Sequence, residues 1–338
     1  MSTARGGLAG IVVALFSACS SRKAPEQDPP PPVAPMAPVA PVTKASGACL
    51  PKVVGDLGVA YARTDGATAA TVCFGTGDEA PGATNACLQI DRDGKATAGR
   101  GWEDAMAAFH ATAATAAPPT VTIQGRDVSV CPAGRPGCVH VQIPPLKFHP
   151  NRPPHGEAST SMKRLFLFAP EPIPGHGDTA FTWYGDTYDL KSGKRLAHIR
   201  LDTLLADLPV FSNTFHVFEA SWVGDGRVLL TDHIDVGPEF QALLLDPIEG
   251  KALFLADQAS QLSVIDPTTI VTFRGTKLQV VDAPALQVIG TFTAASEIGA
   301  AIPWLDRILV VHARPPGTLQ IDPKTATAYT GAPLPLCW

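Results

Sequence analysis

The chain lacks the short signatures that announce common chemistries. None of its 338 residues form a G-x-S-x-G nucleophile elbow, a P-loop or a G-x-G-x-x-G dinucleotide fingerprint, which removes the commonest routes to hydrolase, phosphoryl-transfer and nicotinamide assignments. There is no C-x-x-C pair among the seven cysteines, so cysteine-built zinc sites are not expected. No basic run follows the first 45 residues and the net charge is −5, which argues against nucleic acid as a partner. The longest apolar run, "LAGIVVALF", counts about a dozen residues with its flanking glycines, far short of the roughly 20 that span a bilayer.

That run is informative for another reason. It follows one cation, Arg5, and ends in Phe16-Ser17-Ala18-Cys19. An apolar residue, two small ones and a cysteine resemble the lipobox of bacterial lipoproteins, which implies that 1–18 is a signal peptide and that Cys19 is lipidated and becomes the N-terminus. The alternative is ordinary signal cleavage after Ala18, but that route wants a small residue where bulky Phe16 stands. Ser20 stands where aspartate commonly retains such proteins in the inner membrane, so the expected address is the outer membrane of the cell envelope. Residues 19–45 then form a Pro/Ala-rich linker, "SSRKAPEQDPPPPVAPMAPVAPVTKA". With little apolar bulk to bury it is expected to extend as polyproline II, and some 22 residues at about 3.1 Å each reach roughly 70 Å.

The remaining stretch, 46–338, carries six cysteines, an even number in an exported chain, where disulfides are expected. Cys73 and Cys87 bracket a Gly/Asp-rich loop, Cys131 and Cys138 bracket "PAGRPG", and these two spacings read as local pairs. Cys49 and Cys337 are left at the two ends, a pairing that requires the ends to meet.

Its texture is short apolar runs rich in β-branched residues, such as "TVTIQG", "CVHVQI", "RLFLFA", "RVLLTD", "TIVTFRG" and "RILVVHA", separated by Gly, Pro, Asp and Asn. This pattern predicts an all-β domain. One exception, "GWEDAMAAFHA", puts Trp102, Met106 and Phe109 at helical spacing behind Glu103 and Asp104, and predicts a short helical insertion near 102–111.

A phrase also recurs. "LLLDPIEGKALFLAD", "YDLKSGKRLAHI", "LQIDRDGKATA", "LQVVDAPALQVI" and "LQIDPKTATAY" share apolar residues, an aspartate, a turn and a second apolar stretch. Trp222 and Trp304 open two similar preceding segments with "SVIDPTTIVTFRG" midway between them, giving a pitch near 41 residues. Four antiparallel strands at such a pitch predict a single β-propeller, with the Asp phrase as the outer hairpin of each blade. Counting the five phrases and a degraded copy near "CVHVQIPPLKF" gives six four-stranded blades, and dividing the length by the pitch gives seven. A pair of β-sandwiches is the rival, and it explains neither the pitch nor the terminal cysteines. The phrase resembles the repeats of quinoprotein-like and YVTN-type propellers, a resemblance that implies blade construction and transfers no catalytic residue. Signal, stalk and propeller together are similar in plan to the propeller lipoprotein of the outer-membrane barrel-assembly machine, which implies a docking role with a protein partner in the envelope.

Candidate chemistry is sparse. His149, His155 and His176 lie in two Pro-rich segments flanking "RLFLF", and with Glu157 or Asp178 they have the donor types for a divalent transition metal. Opposite ends of one strand open on opposite faces, so convergence requires another strand to intervene. Asp232, His233 and Asp235 in "LTDHID" are a second such group. Trp222 and Trp304 are expected to pack blades together. No cofactor is expected and no catalytic set stands out; the favoured reading is a membrane-anchored, non-catalytic binding or scaffold protein, the alternative a sugar- or metal-dependent propeller enzyme with its site at the ring mouth.

Overall fold

Runs such as "LFLFA", residues 165–169, are apolar at every position, which a strand tolerates only where both of its faces are covered. In the computed structural model the described residues are 49–51, 58–65, 69–75, 85–91, 95–99, 101–115, 118–145, 154–175, 181–206, 219–233, 240–256, 261–329, 331–334 and 336–337. All belong to one compact unit, Val39–Trp338.

After β1 (Leu50–Pro51), the first sheet is the meander β2 (Val59–Asp65), β3 (Ala69–Gly75), β4 (Asn85–Asp91) and β5 (Ala96–Ala98). Helix α1 (Trp102–Thr115) leads to the second sheet, β6 (Thr120–Gln124), β7 (Asp127–Cys131) and β8 (Val139–Gln142). The third is β9 (His155–Ala158), β10 (Arg164–Pro172), β11 (Phe181–Asp189) and β12 (Arg195–Arg200), followed by α2 (Leu201–Ala206). The fourth is β13 (Glu219–Val223), β14 (Arg227–His233), β15 (Phe240–Leu245) and β16 (Ala252–Ala256). The fifth is β17 (Gln261–Asp266), β18 (Thr269–Arg274), β19 (Lys277–Asp282) and β20 (Gln287–Thr293). The sixth is β21 (Ile298–Trp304), β22 (Arg307–Ala313), β23 (Pro316–Ile321) and β24 (Ala332–Pro333), and β25 (Leu336–Cys337) ends the chain. Among the described residues five sheets thus have four antiparallel strands and the second has three.

The sheets pack face to face in chain order. Leu165 and Leu167 of β10 join Val128, Val130 and Val141 of the second sheet, while Phe166 and Phe168, on the other face, join Ala220, Val228 and Leu230 of the fourth. Val223 and Leu244 meet Ile270 and Val281 of the fifth sheet, whose Val271 and Val280 meet Ile308 and Val310 of the sixth. Leu309 and Val311 face the other way, onto Val72, Phe74 and Ile90 of the first sheet. Sandwiches would pair the sheets off two by two; here the third to sixth sheets each share core with two others, a propeller-type stacking. The second strands β10, β14, β18 and β22 lie between covered faces, the physical reason their sequences show no alternation. First strands touch one another: β6 with β9, β9 with β13, β17 with β21, and β21 with β2.

Close approach at these inner strands demands glycine. A Cβ on Gly156 would sit 2.6 Å from Leu167 Cδ2 and 2.9 Å from Val121 Cγ1. The first and last described strands meet as well: β1 and β25 run parallel, with Leu50 opposite Leu336 and Pro51 opposite Cys337.

The recurring phrase forms the hairpin between third and fourth strands in five sheets, centred on Asp91, Asp189, Asp246, Asp282 and Asp322. Each aspartate accepts from turn N–H groups, as expected of residues that mimic a backbone turn: Lys95 N to Asp91 Oδ1 at 2.8 Å, Ser192 N to Asp189 Oδ1 at 2.8 Å, Glu249 N to Asp246 Oδ1 at 2.8 Å, Ala285 N to Asp282 Oδ1 at 3.0 Å, and Lys324 N to Asp322 Oδ1 at 2.7 Å. Asp246 is 6 % exposed and adds an ion pair to Arg227 at 2.9 Å, and Arg227 Nε donates at 3.0 Å to the Ala283 carbonyl of the next sheet.

Helix α1 runs to Thr115, four residues past the expected end. The alanines at 107, 108, 111, 113 and 114 sustain helix at little cost, and no proline intervenes before Pro118. Ala105 is buried, Trp102 and Met106 are partly buried, and the side chain of Phe109 lies outside the described residues. The six-residue α2 was not expected.

Candidate functional site

One gathering of polar and aromatic groups lies where β9 meets β13, two first strands of neighbouring sheets. Alternation along β9 sends Gly156 and Ala158 toward the second sheet and leaves His155 and Glu157 facing the fourth, since they pair with Phe168 and Phe166 on that face. The His155 imidazole stacks on Phe168 with ring centroids 5.4 Å apart. From β13, the half-buried Trp222 donates its indole N–H to the Glu157 carbonyl at 2.9 Å, tying the two sheets together at backbone level. Between the strands opens a cavity of about 450 Å³ whose walls include His155, Glu157, Phe168, Glu219, Ser221 and Trp222.

Two carboxylates therefore face one space. Burial, and secondarily the Glu219 charge, push the Glu157 carboxyl up to about 7, so this acid changes charge in the neutral range. Chemically the arrangement offers an anionic pair of adjustable charge against an aromatic wall.

A second cavity, about 600 Å³, lies on the polar face of the second sheet, along Thr122, Gln124, Asp127, Ser129, His140 and Gln142. Gln142 Nε2 donates to Asp127 Oδ1 at 3.1 Å there. A third cluster sits on β11 and β12, where buried Asp186 accepts from His198 Nδ1 at 2.7 Å and lies 3.6 Å from Arg195, with Tyr184 stacked on the imidazole at 4.5 Å.

Of the residues singled out from sequence, His155 and Glu157 lie in the first cavity. His149, His176, Asp178, Asp235 and Cys19 lie outside the described residues, as do the side chains of Asp232, His233 and Cys337. Strand β9 intervenes between the two histidine segments: it pairs antiparallel with β10, so the segment entering β9 and the segment leaving β10 attach at the same end of the sheet. Among the described residues no three His, Cys, Asp or Glu side chains gather closely enough to hold a metal ion. The disulfides Cys73–Cys87 and Cys131–Cys138 are formed, with Cα atoms 4.0 and 4.2 Å apart. Cys49 is disulfide-bonded too.

Trp304 is fully buried between the first and sixth sheets, as expected of a packing residue, whereas Trp222 both packs and lines the cavity. Glu219 escaped notice in the sequence. Its signal was position: "EASWV" opens a repeat unit, and the first strand of each unit is the one that faces its counterparts.

No family model matches the chain, and no curated protein matches it. Solved structures with a similar arrangement include Saccharomyces cerevisiae Sqt1, at 10 % identity and a TM-score of 0.29, covering 82 % of this chain and 85 % of that one. The apo form of AztD from Citrobacter koseri is similar at 11 % identity and TM-score 0.29, covering 82 % and 88 %. The β-propeller domain of Cps50 from Myceliophteria thermophila is similar at 13 % and 0.27, covering 63 % and 71 %. These likenesses concern the all-β, propeller-type build.

Proposed function

We propose that this chain is a lipid-anchored protein of the bacterial cell envelope, outer membrane favoured, in which a stalk of residues 19–45 carries a six-bladed propeller that acts as a non-catalytic binding or scaffold module. The observation that carries the binding reading is the cavity between β9 and β13, where acid, imidazole and indole groups from two sheets converge on a space of about 450 Å³. Concave sites with apolar walls and a few placed polar groups are the usual form of ligand contacts. Ring closure by a Cys49–Cys337 bond belongs to the same proposal; it is supported by the parallel pairing of the two ends and by the bonded state of Cys49.

The test uses the full chain in its native envelope, with a photo-crosslinking residue at exposed Ser221 and, as control, at exposed Lys324 on the outer hairpin of the sixth sheet. A discrete adduct from position 221 and none from 324 is the expected outcome. Equal patterns at both positions would remove the reason for placing the contact at the cavity.

A second reading, a sugar- or metal-dependent propeller enzyme, is favoured by one observation: β9 pairs antiparallel with β10, so His155, which opens β9, and the last residues of β10 lie at the same end of the sheet. Elemental analysis of protein purified without chelators separates the two. A stoichiometric transition metal lost on replacing His155 supports the second reading, and no metal above background supports the first.

A further inference from the structure

Two carboxylates alone would make no site; what makes one here is that they share a walled space with aromatic rings. We infer that the β9–β13 cavity receives a basic side chain, a lysine ammonium or arginine guanidinium on its short apolar stem, presented by a protein partner. This deepens the binding reading above and rests on it.

The walls supply each part of such a recognition. Glu157 and Glu219 come from different sheets and both line this cavity. The half-buried Trp222 indole, fixed by its N–H bond to the Glu157 carbonyl, offers an apolar face for a methylene stem, and the exposed His155 ring, stacked on the buried Phe168, offers a second flat face. A cation beside an aromatic face and a carboxylate gains from both. A volume of about 450 Å³ holds one side chain comfortably and lies at the small end of ligand pockets. Phe166 stands opposite Glu157 on β10, and Thr160 and Ser221 are uncharged polar members of the cavity lining. Its charged or titratable neighbours are Glu219 on β13 and His155 on its own strand. A bound cation relieves the repulsion between the two acids, so binding favours the ionised pair and weakens where Glu157 takes up a proton.

Calorimetric titration of the full chain with Nα-acetyl-lysinamide and Nα-acetyl-argininamide tests this. The expected result at pH 8 is saturable binding of at least one of them, at least about tenfold tighter than the neutral isostere Nα-acetyl-norleucinamide, about 1.4 kcal/mol. Binding should weaken about tenfold at pH 5 and fall to the neutral level in Glu157→Gln/Glu219→Gln. Glu157→Gln alone, a milder change, should lose the pH dependence, and Asp306→Asn, an exposed acid on the β21–β22 turn, should bind as wild type. Equal binding of charged and neutral amides, or undiminished binding by the double variant, overturns the inference. n-Butylamine is the arm for a free amine: if it binds and both amides do not, the side-chain source is wrong. If the amides fail while position 221 still yields its adduct, the inference falls and the binding reading stands; loss of both removes that reading.

Discussion

Replacing Glu157 by glutamine should change the pH profile of stability in a way that no merely structural role for this residue predicts. The folded carboxyl titrates near 7 against an ordinary value of 4.5, so between these values the folded chain holds more proton than the unfolded one. Unfolding then releases protons, and stability falls as pH rises through that window. A shift of this size is worth about 3.4 kcal/mol in full, but Glu157 is only half-buried, and solvent screening reduces the useful figure to about 1–2 kcal/mol. Glutamine occupies the same space with nothing to ionise. Glu157→Gln is therefore expected to match wild type at pH 4 and to exceed it by about 1–2 kcal/mol at pH 8, a rise of about 2–3 °C in thermal midpoint for a domain of this size. Glu219→Gln, which removes the secondary cause, should recover a smaller part of that gain. Thermal unfolding followed by tryptophan fluorescence from pH 4 to 8.5 reads all three proteins. Parallel wild-type and Glu157→Gln curves across the range would refute the reasoning.

Asp246→Ala, which removes two turn hydrogen bonds and a buried ion pair to Arg227, should cost about 3 kcal/mol, whereas Asp282→Ala, with one exposed turn bond, should cost about 0.5–1 kcal/mol; urea midpoints compare them. Gly299→Ala would place a Cβ 2.5 Å from Val59 Cγ2, between the sixth and first sheets, and should cost about 1–3 kcal/mol, most of it restored when Val59→Ala is added. Non-reducing peptide mapping should link the peptide around Cys49 to "LPLCW", and the double serine variant should lose a few kcal/mol, below the roughly 5–6 kcal/mol that chain entropy allows for so long a loop. Cys19→Ala should abolish incorporation of labelled lipid and leave precursor uncut; normal maturation of that variant would contradict the lipobox reading.

Much of the architecture was written in local sequence, because strand texture and turn chemistry are local properties. "RLFLFA" and "RILVVHA" read as strands, and the Asp phrase read as a hairpin whose carboxylate accepts from its own turn; neither needs a distant partner to be legible. The two short-range disulfides followed from spacing for the same reason. The end of α1 was misjudged because alanine carries the helix onward without contributing to the apolar stripe. What the sequence could not contain is which first strands stand side by side. His155 and Glu157 were visible as polar residues before an apolar strand, yet the short β9 passed unrecognised, and without it the histidine segments seemed to part to opposite faces. Glu219 and Trp222 lie more than sixty residues away in the chain and carry no motif. Only the stacking of the third sheet on the fourth brings Trp222 against the Glu157 backbone and Glu219 near enough for its charge to act, takes the Glu157 carboxyl partly out of water and raises its affinity for a proton. Such desolvation depends on distance in space, and it is the tertiary structure that determines it.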